Sequence, residues 1–253
     1  MIIYFTGNGN SRLVAERLAG ATGDALWCLD AAAFASMAID AAVGERVVWV
    51  MPVHSWGMPR AVARYIAMVR VAAGVATVPH YLALTCGDDC GLTVGQWRRA
   101  MAERGWRAVS AFSVAMPNTY TLMPGFDVDS PEVASRKLGR MPERVAHIAS
   151  AILAGGGADD VTEGSFPWMK SRVVYPWFMR WEVRPGKFHA DERCVACGRC
   201  RVVCPLGNIT SDGDGRPRWG GDCTLCLGCY NCCPRHAIGY GGRTKGKGQY
   251  FAG

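Results

Sequence analysis

The sequence has no hydrophobic run long enough to cross a membrane. The alanine-rich stretch Ala31–Val43 contains Asp40, and the apolar stretch Ala61–Val78 is interrupted by Arg64 and Arg70. A helix that spans a bilayer needs about 20 consecutive apolar residues. The short apolar run at the N-terminus has no basic region before it, unlike a secretory signal peptide. We therefore expect a cytoplasmic protein without a membrane span.

Cysteine is scarce through most of the chain. Of the twelve cysteines, only Cys28, Cys86 and Cys90 precede residue 194, and the other nine lie between Cys194 and Cys233. A secreted disulfide scaffold distributes its cysteines through the fold, whereas a dense local group is typical of a metal site. Half of the 253 residues are hydrophobic and 19% are charged, which excludes general disorder and predicts one or two folded domains.

Short β-rich runs alternate with helical patterns over the first 155 residues. The predicted strands are Ile2–Phe5, Ala25–Leu29, Arg46–Met51, Tyr81–Thr85 and Val109–Ala115. The predicted helices are Ser11–Leu18, Ala31–Ala42, Pro59–Val71, Thr93–Arg104 and Pro131–Leu153. This alternation predicts an α/β domain with a doubly wound parallel sheet, and five strands match the strand order 2-1-3-4-5.

An aromatic-rich segment follows this domain. The glycines at 155–157 predict its end at residue 155, and residues 156–186 form the predicted interdomain linker. Two interpretations are open for its aromatic rings: they join the two domains by being buried, or some of them line a substrate pocket. The rings are those of Phe166, Trp168, Tyr175, Trp177, Phe178, Trp181 and Phe188.

Eight of the clustered cysteines form two copies of one motif, three cysteines at two-residue intervals, a fourth after three residues, and then a proline. The copies are Cys194, Cys197, Cys200 and Cys204, and then Cys223, Cys226, Cys229 and Cys233. This is the spacing that holds [4Fe–4S] clusters, with the fourth cysteine of each copy serving the other cluster. The predicted ligand sets are therefore Cys194, Cys197, Cys200 and Cys233 for one cluster and Cys223, Cys226, Cys229 and Cys204 for the other.

The cysteine segment resembles the bacterial two-cluster ferredoxins over about residues 187–240. Structural zinc is the alternative, but zinc sites pair two-ligand knuckles and not triplets. Cys232 falls outside the register and is predicted to bind no iron. Residues 187–253, the predicted ferredoxin domain with a basic tail, contain ten Lys or Arg and five Asp or Glu. Each oxidised cluster with its four thiolates adds a charge of roughly −2, so the formal net charge of +7 would fall once both clusters are bound. The formal charge therefore does not indicate a nucleic-acid partner.

A glycine-rich loop joins the first predicted strand to the first helix. It consists of Thr6, Gly7, Asn8, Gly9, Asn10 and Ser11. The glycines allow a ligand to approach the backbone, and the N–H groups at the helix start favour an anion. The loop is neither a Walker loop nor G-x-G-x-x-G, so it predicts a site for one phosphate and not a dinucleotide such as NAD. A tight turn without a ligand is the alternative.

The loop resembles the phosphate loop of flavodoxins, with Asn8 in place of the usual Thr or Ser. In that family the loops after the third and fourth strands contact the flavin, and an open α/β sheet binds ligands at this edge. The resemblance implies bound FMN, with Trp56 against the ring and the Gly57 carbonyl at N5, although Trp56 could instead be a core residue. The remaining predicted contacts are Pro52, Val53, His54, Ser55, Thr85, Cys86, Gly87, Asp88, Asn118 and Tyr120.

Over nearly its full length the chain is similar to the EFR1 family of bacterial flavodoxin–ferredoxin fusion proteins. The resemblance implies a flavodoxin-like five-stranded α/β domain followed by a small α+β two-cluster ferredoxin domain. It also implies electron transfer between FMN and the clusters for an external redox partner, for which the basic ferredoxin surface suggests an acidic protein. The alternative is an FMN-dependent reductase of a small-molecule substrate, with His54 or Tyr120 as the proton donor. Nothing in the sequence separates the two.

Overall fold

The computed structural model describes residues 1–39, 44–71 and 74–252. Its first part alternates strands and helices as the sequence pattern predicts. The strands are β1 (Ile2–Tyr4), β2 (Leu26–Cys28), β3 (Ala38–Ile39), β4 (Val47–Pro52), β5 (Arg70–Val71), β6 (Pro79–Cys86) and β7 (Arg107–Ala115). The helices are α1 (Asn10–Thr22), α2 (Ala31–Ser36), α3 (Arg60–Met68), α4 (Thr93–Glu103) and α5 (Pro131–Leu153).

Five of these strands form one parallel sheet in the order β2-β1-β4-β6-β7. When the five strands of this sheet are numbered as predicted, their order is 2-1-3-4-5, so the flavodoxin-like doubly wound fold is confirmed.

Strand β4 shows why the strands could be predicted from the sequence. Val47, Trp49 and Met51 enter the hydrophobic core on one face, while Val48 and Val50 enter the core on the other. A strand covered on both faces reads as a continuous apolar run.

Two predicted helices are shorter in the structure because the chain leaves them for a second, two-stranded sheet. Met37 has a left-handed conformation (φ 47°) that ends α2, and β3 then pairs in parallel with β5, which follows α3. The rest of the helix predicted at Ala31–Ala42 falls at positions 40–42, outside the described residues. The β-branched Val71 at the end of the predicted helix Pro59–Val71 suits a strand better than a helix.

The α/β unit continues past residue 155. Gly155 and Gly156 have left-handed backbones (φ 91° and 86°) and turn the chain after α5. Asp160 then lies beside β7, where its N–H donates to the Ala111 carbonyl and its carbonyl accepts from Ser113 N–H. An ion pair between Arg144 and Asp160, 2.5 Å from N to O, attaches this edge segment to α5. The sheet edge therefore includes residues that the sequence pattern assigned to the linker.

Residues 167–182 form one helical segment in which α-helical and π-helical turns alternate. The α turns are α6 (Pro167–Met169) and α7 (Tyr175–Trp177), and the π turns are Lys170–Val174 and Phe178–Glu182. Its inner side is fixed to the α/β unit at several points. Lys170 forms an ion pair with Asp89 (2.6 Å), and the Tyr175 hydroxyl donates to the Met58 carbonyl.

The buried hydroxyl of Ser171 makes two of the bonds that hold this segment. It donates to the Trp56 carbonyl (2.7 Å) and accepts from the Leu92 N–H (2.8 Å). Ser171→Ala leaves both groups without a partner, which costs about 1–3 kcal/mol and should lower the thermal midpoint of the intact chain by several degrees. Circular dichroism on heating measures this. Ser165→Ala, at an exposed position just before this segment, is the matched control and should leave the midpoint unchanged.

The cysteine-rich part repeats one plan at an interval of 29 residues, the distance from Cys194 to Cys223. Its first half has β8 (Phe188–Ala190), α8 (Arg199–Val202) and β9 (Ile209–Ser211), and its second has β10 (Pro217–Trp219), α9 (Gly228–Asn231) and β11 (Ile238–Tyr240). Strand β8 pairs with β11 and β9 pairs with β10, both antiparallel, so each half completes the other. Left-handed residues recur at equivalent positions: Ala196 and Leu225, Gly198 and Leu227, Gly207 and His236.

Candidate functional site

A cleft lies at the carboxyl ends of β1, β4 and β6. It consists of a cavity of about 90 Å³ that adjoins a second of about 300 Å³, and together they reach the size of small-molecule sites. The predicted residues that line the first cavity are Thr6, Gly7, Asn8, Asn10, Ser11, Pro52, Val53, His54, Ser55, Thr85, Cys86, Gly87, Asn118 and Tyr120. Trp56 and Asp88 line the second cavity, whereas Gly9 and Gly57 line neither.

The glycine-rich loop is shaped by short hydrogen bonds at the start of α1. Gly9 caps the helix with a left-handed backbone (φ 93°), and its N–H donates to the Thr6 hydroxyl. The Ser11 and Thr85 hydroxyls are 2.7 Å apart, which joins the loop to the end of β6. The first N–H groups of an α-helix have no partner within the helix. Asn10 and Ser11, the first residues of α1, line the cleft, so this helix start can hold an anion there.

Three buried polar atoms around the cleft have no hydrogen-bond partner within the described part of the chain. They are Asn10 Oδ1, Ser55 Oγ and Tyr120 Oη. A buried polar group without a partner costs about 1–3 kcal/mol, so these atoms indicate a polar ligand. FMN offers phosphate, ribityl hydroxyls and the polar edge of its ring. The residues present therefore fit the flavin that the loop predicts.

The turn after β4 has an unusual backbone. Ser55 and Trp56 are both left-handed (φ 49° and 61°), and His54 and Gly57 exchange two hydrogen bonds across the turn. Left-handed non-glycine residues are strained and cluster at functional sites. The Trp56 ring lies at the second cavity and Lys170 Nζ is 5.1 Å from its centroid. Gly57 is instead buried: its carbonyl accepts from His54 N–H, and a Cβ on it would overlap the Tyr175 ring.

Burial shifts the pKa values of the two candidate proton donors in opposite directions and leaves both side chains uncharged at neutral pH. Burial lowers the pKa of His54 to about 4, and a hydrogen bond with the Thr224 backbone only partly opposes this. His54 is therefore neutral at neutral pH. Burial raises the pKa of Tyr120 well above its usual range, with Glu182 adding to the shift. The Tyr120 hydroxyl therefore keeps its proton at neutral pH.

The eight motif cysteines lie in two groups, and each group contains the fourth cysteine of the other copy. Cys194, Cys197, Cys200 and Cys233 line one cavity at the surface. In the second group burial raises the pKa of Cys223 to about 11 and of Cys226 to about 12, and the neighbouring Cys204 adds to both shifts. Thiols that burial keeps protonated become stable thiolates when they bind metal. This is the donor set and the crossed grouping that two [4Fe–4S] clusters use.

N–H groups are directed at several of these sulfur atoms. In equivalent positions of the two halves, Asn208 N–H donates to Cys204 Sγ and Ala237 N–H donates to Cys233 Sγ. Donors of this kind stabilise cluster thiolates and tune reduction potentials. Two more donors serve the second group, Leu225 N–H to Cys223 Sγ and Trp219 Nε1 to Cys229 Sγ. Cys232 is buried and its thiol lies 3.5 Å from the Cys229 carbonyl oxygen.

The two groups differ in burial because one packs against the glycine-rich loop. Val195 is 60% exposed, whereas the equivalent Thr224 is 4% exposed. Val202 is 81% exposed, whereas the equivalent Asn231 is 5% exposed. The second cysteine loop also completes the cleft, which the sequence analysis missed. The lining residues that it did not predict are Met116, Pro117, Thr119, Phe178, Leu225, Cys226 and Leu227.

Asn8 joins the two units directly. Its Nδ2 donates to the Cys226 carbonyl (2.7 Å), and its Oδ1 accepts from Asn231 Nδ2 (3.0 Å). Its backbone carbonyl accepts from Ala252 N–H. The side chain is thus directed at the cysteine-rich unit and is engaged there. The departure of Asn8 from the usual Thr or Ser of the flavodoxin loop was the sequence signal for this contact.

The chain thus combines a flavodoxin-like α/β unit with a cysteine-rich unit. No protein-family profile matches it. Its C-terminal part is similar to pyruvate synthase subunit PorD of Methanocaldococcus jannaschii (43% identity over 49 residues) and to uncharacterized ferredoxin MJ0722 of that organism (40% over 52 residues). Each match covers 19% of this chain, and the chain spans 57% and 66% of those relatives. The cysteine-rich unit is therefore ferredoxin-like.

Solved structures of other proteins resemble the α/β unit at low sequence identity. A flavodoxin of Streptococcus pneumoniae TIGR4 has a TM-score of 0.37 at 13% identity, covering 61% of this chain and 97% of its own. The Trp repressor binding protein of Bacillus subtilis has a TM-score of 0.36 at 12% identity, covering 57% and 97%. The fold assignment depends on the strand order of the sheet and not on these scores.

Proposed function

We propose that this chain is an electron-transfer protein that moves electrons between a bound FMN and two [4Fe–4S] clusters, as in the EFR1-type fusion proteins. The observation that carries the proposal is that Cys226, a predicted cluster ligand, lines the cleft predicted to hold the flavin. A flavin exchanges one or two electrons and each cluster exchanges one. A contact between the two sites is what electron transfer within one chain requires.

The residues support a specific cofactor content. The loop at Thr6–Ser11 would hold one terminal phosphate at the start of α1, and the cavity lined by Trp56 has room for a ring. The two crossed cysteine groups take four irons each. Anaerobically reconstituted protein should therefore contain one FMN and about eight irons per chain, without FAD or NAD.

Burial gives the two clusters different tasks. In the group of Cys204, Cys223, Cys226 and Cys229, Cys226 lines the cleft, so a cluster held there would be the one that exchanges electrons with the flavin. The group of Cys194, Cys197, Cys200 and Cys233 lines a surface cavity, and Cys197 is exposed. The first group is thus proximal to the flavin and the second is distal, toward an external partner.

The surface around the distal group fits an acidic redox protein. Arg199, Arg201 and Arg235 line the same cavity as the distal cysteines and are exposed. Charges of one sign at an electron exit steer an oppositely charged partner. Arg216, another basic residue of this unit, is not free for such a partner, because its guanidinium donates to the Ala190 and Asp191 carbonyls. The similarity of the cysteine-rich unit to a subunit of pyruvate synthase supports an interaction with another redox protein.

One observation favours the second candidate, an FMN-dependent reductase of a small molecule fed by the clusters. The Tyr120 hydroxyl is buried at the cleft, unpaired within the described residues, and could give a proton to a reduced substrate. His54 is uncharged at physiological pH and has no imidazolium proton to give. Turnover of small acceptors such as quinones that is lost in Tyr120→Phe, with FMN retained, would favour the reductase.

Rapid mixing of the intact protein tests the proposed function. We expect that a low-potential donor reduces the clusters first and that the flavin absorbance then bleaches in a step whose rate is independent of protein concentration. Independence is expected because donor and acceptor share one chain. A flavin step whose rate rises in proportion to protein concentration would show transfer between molecules and overturn the proposal.

A further inference from the structure

Large apolar side chains are exposed on one side of the helical segment 167–182 and at Phe166, the residue before it. Six of them are between 47% and 73% exposed, three of them tryptophans: Phe166, Trp168, Met169, Val173, Trp177 and Trp181. Isolated exposed apolar residues are ordinary, but a contiguous apolar patch marks an interaction surface. We call these six residues the aromatic stripe.

The stripe is a consequence of the helix geometry. Met169, Val173, Trp177 and Trp181 recur every four residues, and alternating α and π turns keep that spacing on one side. The opposite side is already fixed, because Ser171, Phe178 and Glu182 are buried. The helix therefore cannot rotate the stripe inward. Burial of rings between the units applies to Phe178 and Phe188, and it does not explain the exposed tryptophans.

The exposed charged side chains of the segment itself are all basic. Of the five basic residues from Phe166 to Lys187, Arg172, Arg180 and Arg184 are exposed, whereas Lys170 is paired with Asp89 on the inner side. The guanidinium groups of Arg180 and Arg184 lie 5.2 and 5.7 Å from the Trp181 ring centroid.

Glu182 is the single acidic residue in that range, and it is buried and paired with Arg243. The exposed side of the segment thus combines apolar rings with positive charge and has no carboxylate of its own.

We propose that the aromatic stripe binds an anionic lipid surface, with the helix lying in the plane of the headgroups. Tryptophan prefers the membrane–water interface, and arginine pairs with anionic headgroups while its stem covers apolar surface. The described residues include no helix long and apolar enough to cross a membrane, so the contact is with the surface alone. A fluid lipid surface adapts to a convex single helix, whereas a specific protein interface needs about 800 Å² per partner.

Vesicle flotation of the cofactor-loaded protein tests the proposal. We expect binding to phosphatidylcholine vesicles that contain phosphatidylglycerol, much weaker binding to phosphatidylcholine alone, and a blue shift of tryptophan fluorescence on binding. The triple variant Trp168→Gln, Trp177→Gln, Trp181→Gln should bind at least about ten-fold more weakly. The variant Arg172→Gln, Arg180→Gln, Arg184→Gln should lose the preference for anionic vesicles.

Matched controls separate the stripe from general surface apolarity. Met68 and Leu153 are exposed on other helices, and Met68→Gln with Leu153→Gln should leave vesicle binding unchanged. Iron and FMN content verify that each variant is folded. Equal binding by wild type and the tryptophan variant would overturn the proposal, as would no vesicle binding at all. Self-association or capture of an acidic protein that is lost in the tryptophan variant, without vesicle binding, would assign the stripe to a protein partner and overturn it as well.

Discussion

Gly228→Ala is expected to slow electron transfer between the clusters and the flavin by about ten-fold or more, because small displacements of reacting groups have large kinetic costs. Gly228 is the first residue of α9, and a Cβ there would overlap the Gly7 carbonyl oxygen of the glycine-rich loop. On the other side of this contact, a Cβ on Gly7 would lie 2.5 Å from Cys226 Cβ. The two backbones touch only because both residues lack a side chain.

The backbone of Gly228 is not left-handed, so alanine can adopt its conformation. The strain that the substitution adds is therefore the overlap with the Gly7 carbonyl oxygen. A slower flavin step with full iron content would therefore report the separation of the units. Gly95→Ala in α4, where an added Cβ meets nothing within 4 Å, is the matched control. An unchanged rate in Gly228→Ala would show that electrons do not cross at this contact.

The second large effect is expected from the fourth cysteines of the two motifs. Cys204→Ser and Cys233→Ser should each lower the iron content from about eight to about four per chain. Because the ligand groups are crossed, Cys204→Ser should remove the proximal cluster and abolish fast flavin reduction. Cys233→Ser should remove the distal cluster, keep flavin reduction and lose reduction of an external acceptor protein.

Iron analysis and electron paramagnetic resonance of the reduced variants measure both outcomes. Cys232→Ser is the control, because Cys232 is buried next to a ligand yet out of register, and eight irons should remain. If Cys204→Ser keeps fast flavin reduction while Cys233→Ser loses it, the proposed order of the clusters is reversed. If Cys232→Ser loses iron, the register of the motif is misassigned.

The main sheet was predictable from local patterns, and its edges were not. Runs such as Arg46–Met51 are apolar on both faces, and burial under helices on both sides explains why. The segment beside β7 at Asp160 has no such pattern. It is held by backbone bonds to Ala111 and Ser113 and by an ion pair with Arg144, contacts between residues far apart in the sequence.

The candidate site shows the same division. Loops that follow strands at one sheet edge can be placed from the sequence, since the edge is set by the topology. Leu225, Cys226 and Leu227 form one wall of the cleft because of the way in which the two units pack together. That packing could not be predicted from the amino-acid composition. The aromatic density of the linker predicted rings that are buried between the domains or that line a pocket, whereas Phe166, Trp168, Trp177 and Trp181 are exposed. The sequence could not tell inward rings from outward ones, because the α and π turns that orient them form only in the folded helix.

The unequal burial of the two cysteine loops has a consequence for how freely each can vary. Val202 is largely exposed, so nearly any polar side chain can replace it without a clash. At the equivalent Asn231 the side chain amide is bonded to Asn8, Thr119 and Tyr250, so a change there disturbs three segments at once. The two copies of the motif share one backbone plan, yet they are no longer interchangeable. If the sequences of the two cysteine loops were exchanged, the chain would keep all eight motif thiols. The glycine-rich loop would still lose the contact between Asn8 and Asn231.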